Sequence, residues 1–275
     1  MQIEDYSDLL ETGDVLRMDA IDEELLAKDT DKIAISLYLS DPEQVAAART
    51  FLSEHAKGIP YETSLHTVDE EDFANAWKQY YKVIKPANKI LIVPEWLEAD
   101  VKEGELPLKI DPGMAFGTGT HETTRLCIAL LEKTVKVGDS VLDVGTGSGI
   151  LSVAAKLLGS GKTVACDIDP VAVRVAKENA ARNNLEREIE IFQSDGTTGI
   201  TGKYNIIVIN IIADVIITLL PAIKTLLAED ATLLLSGIID IREDDVIAAL
   251  QENGLAATTR LEEKGWIALS VQTVK

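Results

Sequence analysis

The sequence predicts an α/β protein: a mainly parallel, doubly wound sheet of seven strands ending in an antiparallel edge hairpin, preceded by a smaller α+β unit. Three observations predict this. Short apolar runs alternate with helix-period stretches from residue 141 to 252. A turn with glycine at alternate positions, Gly145, Gly147 and Gly149, joins the first of those runs to a helical stretch. The last two runs, 255–261 and 266–274, are separated only by 262–265, as in a hairpin at a sheet edge.

Residues 1–94 read as the smaller unit. Ile33, Ile35, Leu37 and Leu39 share one face of a strand at 32–39. Asp41-Pro42 then caps and opens a helix to about His55, with Val45, Ala48, Phe51 and Leu52 facing inward, and Gly58-Ile-Pro60 ends it. An alternating stretch at 61–68, a helix over 70–81 and a strand at 89–93 complete the order strand, helix, strand, helix, strand. Residues 95–109 are charged and weakly periodic, with Pro94 before and Pro107 within, which reads as a linker. The larger unit is 110–275.

That unit opens with Asp-Pro-Gly-Met-Ala-Phe-Gly-Thr-Gly-Thr-His-Glu-Thr-Thr from Asp111, followed by a helix to about Lys133. So many glycines and hydroxyls suit a flap across a small polar ligand, or else an Ω-type connection whose threonines cap the helix. Strands are expected at 141–144, 162–167, 188–192, 204–210 and 231–236, with helices at 150–158, 171–183, 212–227 and 243–252.

The glycine turn carries the chemistry. Glycine adopts unusual φ and excludes nothing, so main-chain N–H groups can approach a ligand; alone, such a triplet is equally a plain tight turn. A dinucleotide fingerprint wants its third glycine where Ile150 stands, which disfavours a nicotinamide cofactor. Asp143 ends the preceding strand, and Asp167 ends the next one, 18 residues after Gly149, where a carboxylate suits a ribose diol. Asp169-Pro170 reads as a helix cap and first turn. Ligands of open parallel sheets bind beyond the strand carboxyl ends, where Gly145, Asp167, Asp195 and Asn210 all fall. Asp195 could accept from an adenine amino group or simply form an Asp-Gly turn. Asn210, closing an unbroken Ile and Val strand, either has polar work or caps the following helix.

Composition narrows the setting. Two cysteines, Cys127 and Cys166, lie in apolar segments, so neither a disulfide framework nor a metal-ligand spacing is present, and a reducing, cytoplasmic home is expected. No apolar run is long enough to span a bilayer, and the acidic first residues do not resemble a signal peptide. A formal net charge of −20 repels phosphate backbones and favours a basic protein partner over free nucleic acid, though it equally serves solubility.

The strand acid with alternate glycines resembles the motif of S-adenosylmethionine (SAM) methyltransferases, and the seven-stranded sheet with its hairpin resembles their class I, Rossmann-like fold. The flap, Asp-Val-Gly-Thr-Gly-Ser-Gly-Ile-Leu, Asp-Ile-Asp-Pro, and Asn-Ile-Ile-Ala from Asn210 together resemble the ribosomal large-subunit protein 11 methyltransferases, PrmA. Leu-Ser-Gly-Ile at 235–238, Trp266, Trp77-Lys78 and Ile92-Val-Pro-Glu-Trp96 agree. The resemblance implies a ferredoxin-like N-terminal domain, here expected to lack its first strand and helix. It also implies SAM-dependent N-methylation of lysine side chains and an α-amino group on that ribosomal protein, without a metal. By the same resemblance, cofactor contacts fall on Thr124, Gly145, Asp167 and Asn210, the last beside the methyl; Gly147, Asp143 and Asp195 are further candidate contacts from their place in the turn and at the strand ends. Phe116 and His121 would lie near the methionine moiety or the entering amine, with His121 either a proton acceptor or structural. Cysteine and proline are common in the family where Thr146 and Glu122 stand. Competing readings are a SAM methyltransferase of another protein or small molecule, and a SAM-binding module without catalysis.

Overall fold

The computed structural model describes residues 2–4, 34–36, 42–56, 58, 62–64, 81–111 and 119–274, and the chain divides into two compact units, Met1–Val68 and Asp69–Lys275. In the first unit, β1 (Gln2–Glu4) pairs antiparallel with β2 (Ala34–Ser36), Ile3 opposite Ile35. Helix α1 (Pro42–His55) has the expected bounds, with proline as its first residue, where no main-chain N–H is missed. Of the alternating stretch at 61–68 only 62–64 is described, without a strand, and the helix expected over 70–81 lies outside the described residues apart from Tyr81.

The unit boundary differs from the one the sequence suggests. Strand β3 (Ile90–Pro94) belongs to the second unit, and most of β4 (Leu106–Ile110), which pairs parallel with it, falls in the stretch expected as a linker. The cause is apolar. Ile90, Ile92, Leu108 and Ile110 are buried in one cluster with Leu126 and Ile150, so the alternation of Leu106, Leu108 and Ile110 outweighs the charged residues around it.

The main sheet takes shape as read. Its strands are β5 (Val141–Val144), β6 (Thr163–Asp167), β7 (Ile189–Gln193), β8 (Tyr204–Asn210), β9 (Leu227–Ile239), β10 (Leu255–Glu263) and β11 (Trp266–Thr273). They lie side by side in the order β10-β11-β9-β8-β5-β6-β7. Pairing is parallel from β9 to β7 and antiparallel on both sides of β11. The chain winds outward from β5 to β7, then returns to β8 on the other side of β5. The crevice between β5 and β8 is therefore where the winding reverses.

Helices α2 (Glu122–Thr134), α3 (Ile150–Leu157), α4 (Pro170–Arg182), α5 (Ala213–Leu226) and α6 (Glu243–Glu252) intervene. The first three supply one apolar cluster and the last two the other. Strand β8 feeds both: Ile206 and Val208 face one cluster, Ile207 and Ile209 the other. A strand covered on both faces has no polar side, which is why its sequence is an unbroken apolar run. Strand β9 is longer than expected because Leu227 already pairs with Tyr204 ahead of a register shift. Outermost, β10 is mostly exposed, and its Arg260 is bracketed by Glu243 and Glu262.

Ile207 is fully buried at the centre of β8. Ile207→Ala should lower stability by about 2 to 5 kcal/mol in equilibrium urea unfolding, since the two packed layers can collapse only partly around the lost volume. A loss below about 1 kcal/mol would show that this strand is not clamped from both faces.

Candidate active site

The turn after β5 is held from within. Gly145 N and Thr146 N both donate to the Cys166 carbonyl at 2.9 Å, Gly149 N donates to the Thr146 carbonyl at 2.9 Å, and Gly147 N donates to Asp167 Oδ2 at 2.8 Å. The sequence suggested that these N–H groups face a ligand; the structure spends them on the protein itself. What glycine supplies here is close approach. At Gly145 (φ +74°) a Cβ would sit 2.6 Å from Ile211 Cγ2, and at Gly149 (φ +80°) it would sit 3.0 Å from Ala176 Cα. A phosphate seat needs uncommitted N–H donors. This turn, set between two carboxylates, instead suits a ligand carrying positive charge.

Asp143 lies beneath the turn, fully buried. Its Oδ2 accepts from Thr146 Oγ1 at 2.6 Å and from Ser152 Oγ at 2.5 Å, while Oδ1 has no partner among the described residues. Burial pushes its carboxyl up to about 6, against the pull of the two hydroxyls. Asp167 is half-buried at the tip of β6, accepting from Gly147 N and, through Oδ1, from Asp169 N at 3.0 Å. Two of its roughly four lone-pair positions are thereby used, leaving acceptor capacity. Asp169 is the cap of α4, accepting from Val171 N at 2.8 Å with Pro170 behind it. Asp195 stands two residues beyond β7, exposed, in a turn closed by Thr198 N on its carbonyl at 3.1 Å.

Asn210 ends β8 opposite Ser236 of β9, and its Oδ1 is buried without a partner among the described residues. It does not cap α5, whose N-cap is Ile212. Thr124 of α2 is fully buried, and its Oγ1 likewise lacks a partner among the described residues. His121 is the N-cap of α2: Nδ1 accepts from Thr123 N at 3.3 Å and lies 2.9 Å from Thr123 Oγ1, while its ring meets Trp266 edge-on at 4.9 Å. Arg125 ties this helix start to the hairpin through Glu263 at 2.5 Å. Phe116 and the flap at 112–118 lie outside the described residues.

Thr124, Asp143 and Asn210 are thus the described residues with an orphaned buried side-chain oxygen, and sequence reading had named all three. A buried polar atom without a partner costs about 1 to 3 kcal/mol, which makes these three oxygens the candidate contacts for a ligand. The sequence reading missed Ser152, Asn179 and Ile211. The signal for the first two was present: each is a polar residue on the apolar stripe of its helix. Cys127 and Cys166 are buried free thiols, both pushed up to about 12 by burial, and are unreactive near neutrality.

Because its folded-state carboxyl lies above the ordinary aspartate value of 3.8, Asp143 opposes folding once ionised. Relative to Asp143→Asn, the unaltered chain should lose stability as pH rises from about 4 to 6, by up to about 3 kcal/mol, and hold a constant difference above pH 7. Thermal melts of both proteins from pH 4 to 8 check this; parallel curves across that range would place Asp143 in water.

Comparison with known proteins agrees with this geometry. The model of the family described as ribosomal protein L11 methyltransferase (PrmA) matches residues 1–274. The ribosomal protein L11 methyltransferase of Pelotomaculum thermopropionicum is 45% identical over 230 residues, covering 84% of this chain and 74% of that protein. That of Caldanaerobacter subterraneus subsp. tengcongensis is 41% identical over 275 residues, covering 97% of this chain and 88% of that protein. The crystal structure of ribosomal protein L11 methylase from Lactobacillus delbrueckii subsp. bulgaricus superposes with a TM-score of 0.68 at 34% identity, over 71% of this chain and all of that one. With the acid-tipped glycine turn at the switch point of a seven-stranded sheet, these matches establish that the chain belongs to the ribosomal protein L11 methyltransferase family, PrmA.

Proposed function

We propose that this protein transfers methyl groups from SAM to amino groups of ribosomal protein L11, on lysine side chains and at the N-terminus. The observation that carries the reading is the set of orphaned oxygens on Thr124, Asp143 and Asn210 in a domain whose winding reverses between β5 and β8. SAM fits these residues. Its sulfonium and ammonium charges suit a turn flanked by Asp143 and Asp167, whose own N–H groups are already engaged. When bound, it supplies an activated methyl group.

The chain's residues supply the rest. Asp167 would accept from the ribose hydroxyls, Gly145 and Gly147 would admit the ligand against the main chain, and Asp195 would accept from the adenine amino group. Thr124 would add a further cofactor contact, with His121 acting mainly by capping α2. Asn210 Oδ1 would accept an N–H of the entering amine and so aim its lone pair. With a lysine pKa of about 10.4, only on the order of one amine in a few thousand is neutral at pH 7, so exclusion of water around the site favours the reactive form. Asn210 orients and does not abstract a proton, so a dedicated base is optional.

The net charge of −20 supports a basic protein as substrate over free nucleic acid. No helix among the described residues is long and apolar enough to cross a membrane. That, with two buried reduced cysteines, supports a cytoplasmic location.

Incubation with labelled SAM and a panel of free ribosomal proteins tests the assignment: L11 should be labelled, and a chain that labels another protein instead would refute it. Asn210→Ala should slow methyl transfer about 10- to 100-fold with SAM affinity changed little, whereas Asp167→Ala should weaken SAM binding by a similar factor. Equal losses of rate and affinity in Asn210→Ala, read by calorimetry beside the kinetics, would assign that residue to cofactor binding alone.

A further inference from the structure

Asn179 sits on α4, 1% exposed, on the stripe that otherwise carries Ala172, Ala176 and Ala180. Its Nδ2 donates to the Ser148 carbonyl at 2.9 Å and its Oδ1 accepts from Asp111 N at 3.0 Å. One amide thus joins the outer half of the glycine turn to the residue where the chain leaves β4. The asparagine amide offers a donor and an acceptor from one short planar group, as a carbonyl on one side and an N–H on the other require.

The surroundings make this joint stiff. Three residues earlier on the same helix, Ala176 packs closely on Gly149, where a Cβ would sit 3.0 Å from Ala176 Cα in a backbone (φ +80°) that favours glycine. One turn later, Asn183 brackets Lys109, accepting from its N–H at 2.9 Å and donating to its carbonyl at 2.7 Å. Arg182 reaches Asp111 Oδ2 at 3.2 Å. Helix α4 is therefore a platform that fixes β4 and Asp111 on one side and residues 148–149 on the other.

We infer that Asn179 is a positioning residue for the cofactor seat: by holding the Ser148 carbonyl against α4 it sets the path of the turn between Gly147 and Gly149. Both polar atoms of its buried amide are bonded to the main chain, so Asn179 acts through the turn. The inference rests on the reading that this turn seats SAM.

Asn179→Asp is the discriminating variant. Titrated at about pH 9, where even a buried carboxyl is ionised, it keeps the size and the acceptor for Asp111 N–H but sets a carboxylate oxygen against the Ser148 carbonyl. Asn179→Ala removes both bonds, and Asn183→Ala is the comparison, altering the same helix without touching the turn. Calorimetric titration with SAM should show Kd raised at least tenfold in both Asn179 variants and within twofold of the unaltered chain in Asn183→Ala, although all three melt lower. At saturating SAM, kcat on L11 should stay within about threefold in Asn179→Asp, the loss appearing in the KM for SAM. Normal SAM affinity in Asn179→Asp overturns the inference, as does an equal loss in Asn183→Ala, which would mark general damage to the helix. An unaltered chain that fails to bind SAM overturns the proposed function, and this inference with it.

Discussion

The bond from Gly147 N to Asp167 Oδ2 ties the turn after β5 to the end of β6, 20 residues further on, and the candidate site is arranged around it. It consumes the N–H that would otherwise invite an anion and pins the carboxylate that ends β6. With Gly145 and Thr146 both bonded to Cys166, the turn is fastened to β6 along three successive residues. Its inner side is fastened through Asp143, Thr146 and Ser152 and its outer side through α4. The turn is thus held by bonds internal to the protein, the condition under which fixed dipoles and carboxylates recognise a ligand with little reorganisation.

Two burial costs are retained in this scaffold. Asp143 is ionisable and enclosed, and Thr124 and Asn210 present buried oxygens without a partner among the described residues. None of the three improves the core in isolation. A protein selected for stability alone would fill such positions with aliphatic side chains.

Much of this was legible in the sequence because local pattern and global fold agree. The strand at 204–210 and the helix at 243–252 have the bounds that periodicity assigns, and Asp169-Pro170 begins α4 as its chemistry requires. Legibility failed where tertiary contacts decide. Residues 106–109 look like linker until Leu108 and Ile110 are seen packed by α3 and α4, and the turn's N–H groups look available until Cys166 and Asp167 are placed beside them. Asn210 could have been a cap or a functional group, and only the orphaned oxygen with Ile212 at the N-cap separates the two. Asn179 is visible as a polar residue on an apolar stripe, but its two partners, 68 and 31 residues away, are not.

The charges along the outermost strand bear on how the chain behaves in a crowded solution. A strand at the end of a sheet exposes a row of main-chain donors and acceptors that any extended peptide can match. On β10 that row runs past Arg260, flanked by Glu243 and Glu262. A stray polypeptide laid along this border would have to strip water from three ionised groups, so the molecule is guarded against fibrous self-association where its sheet is left open.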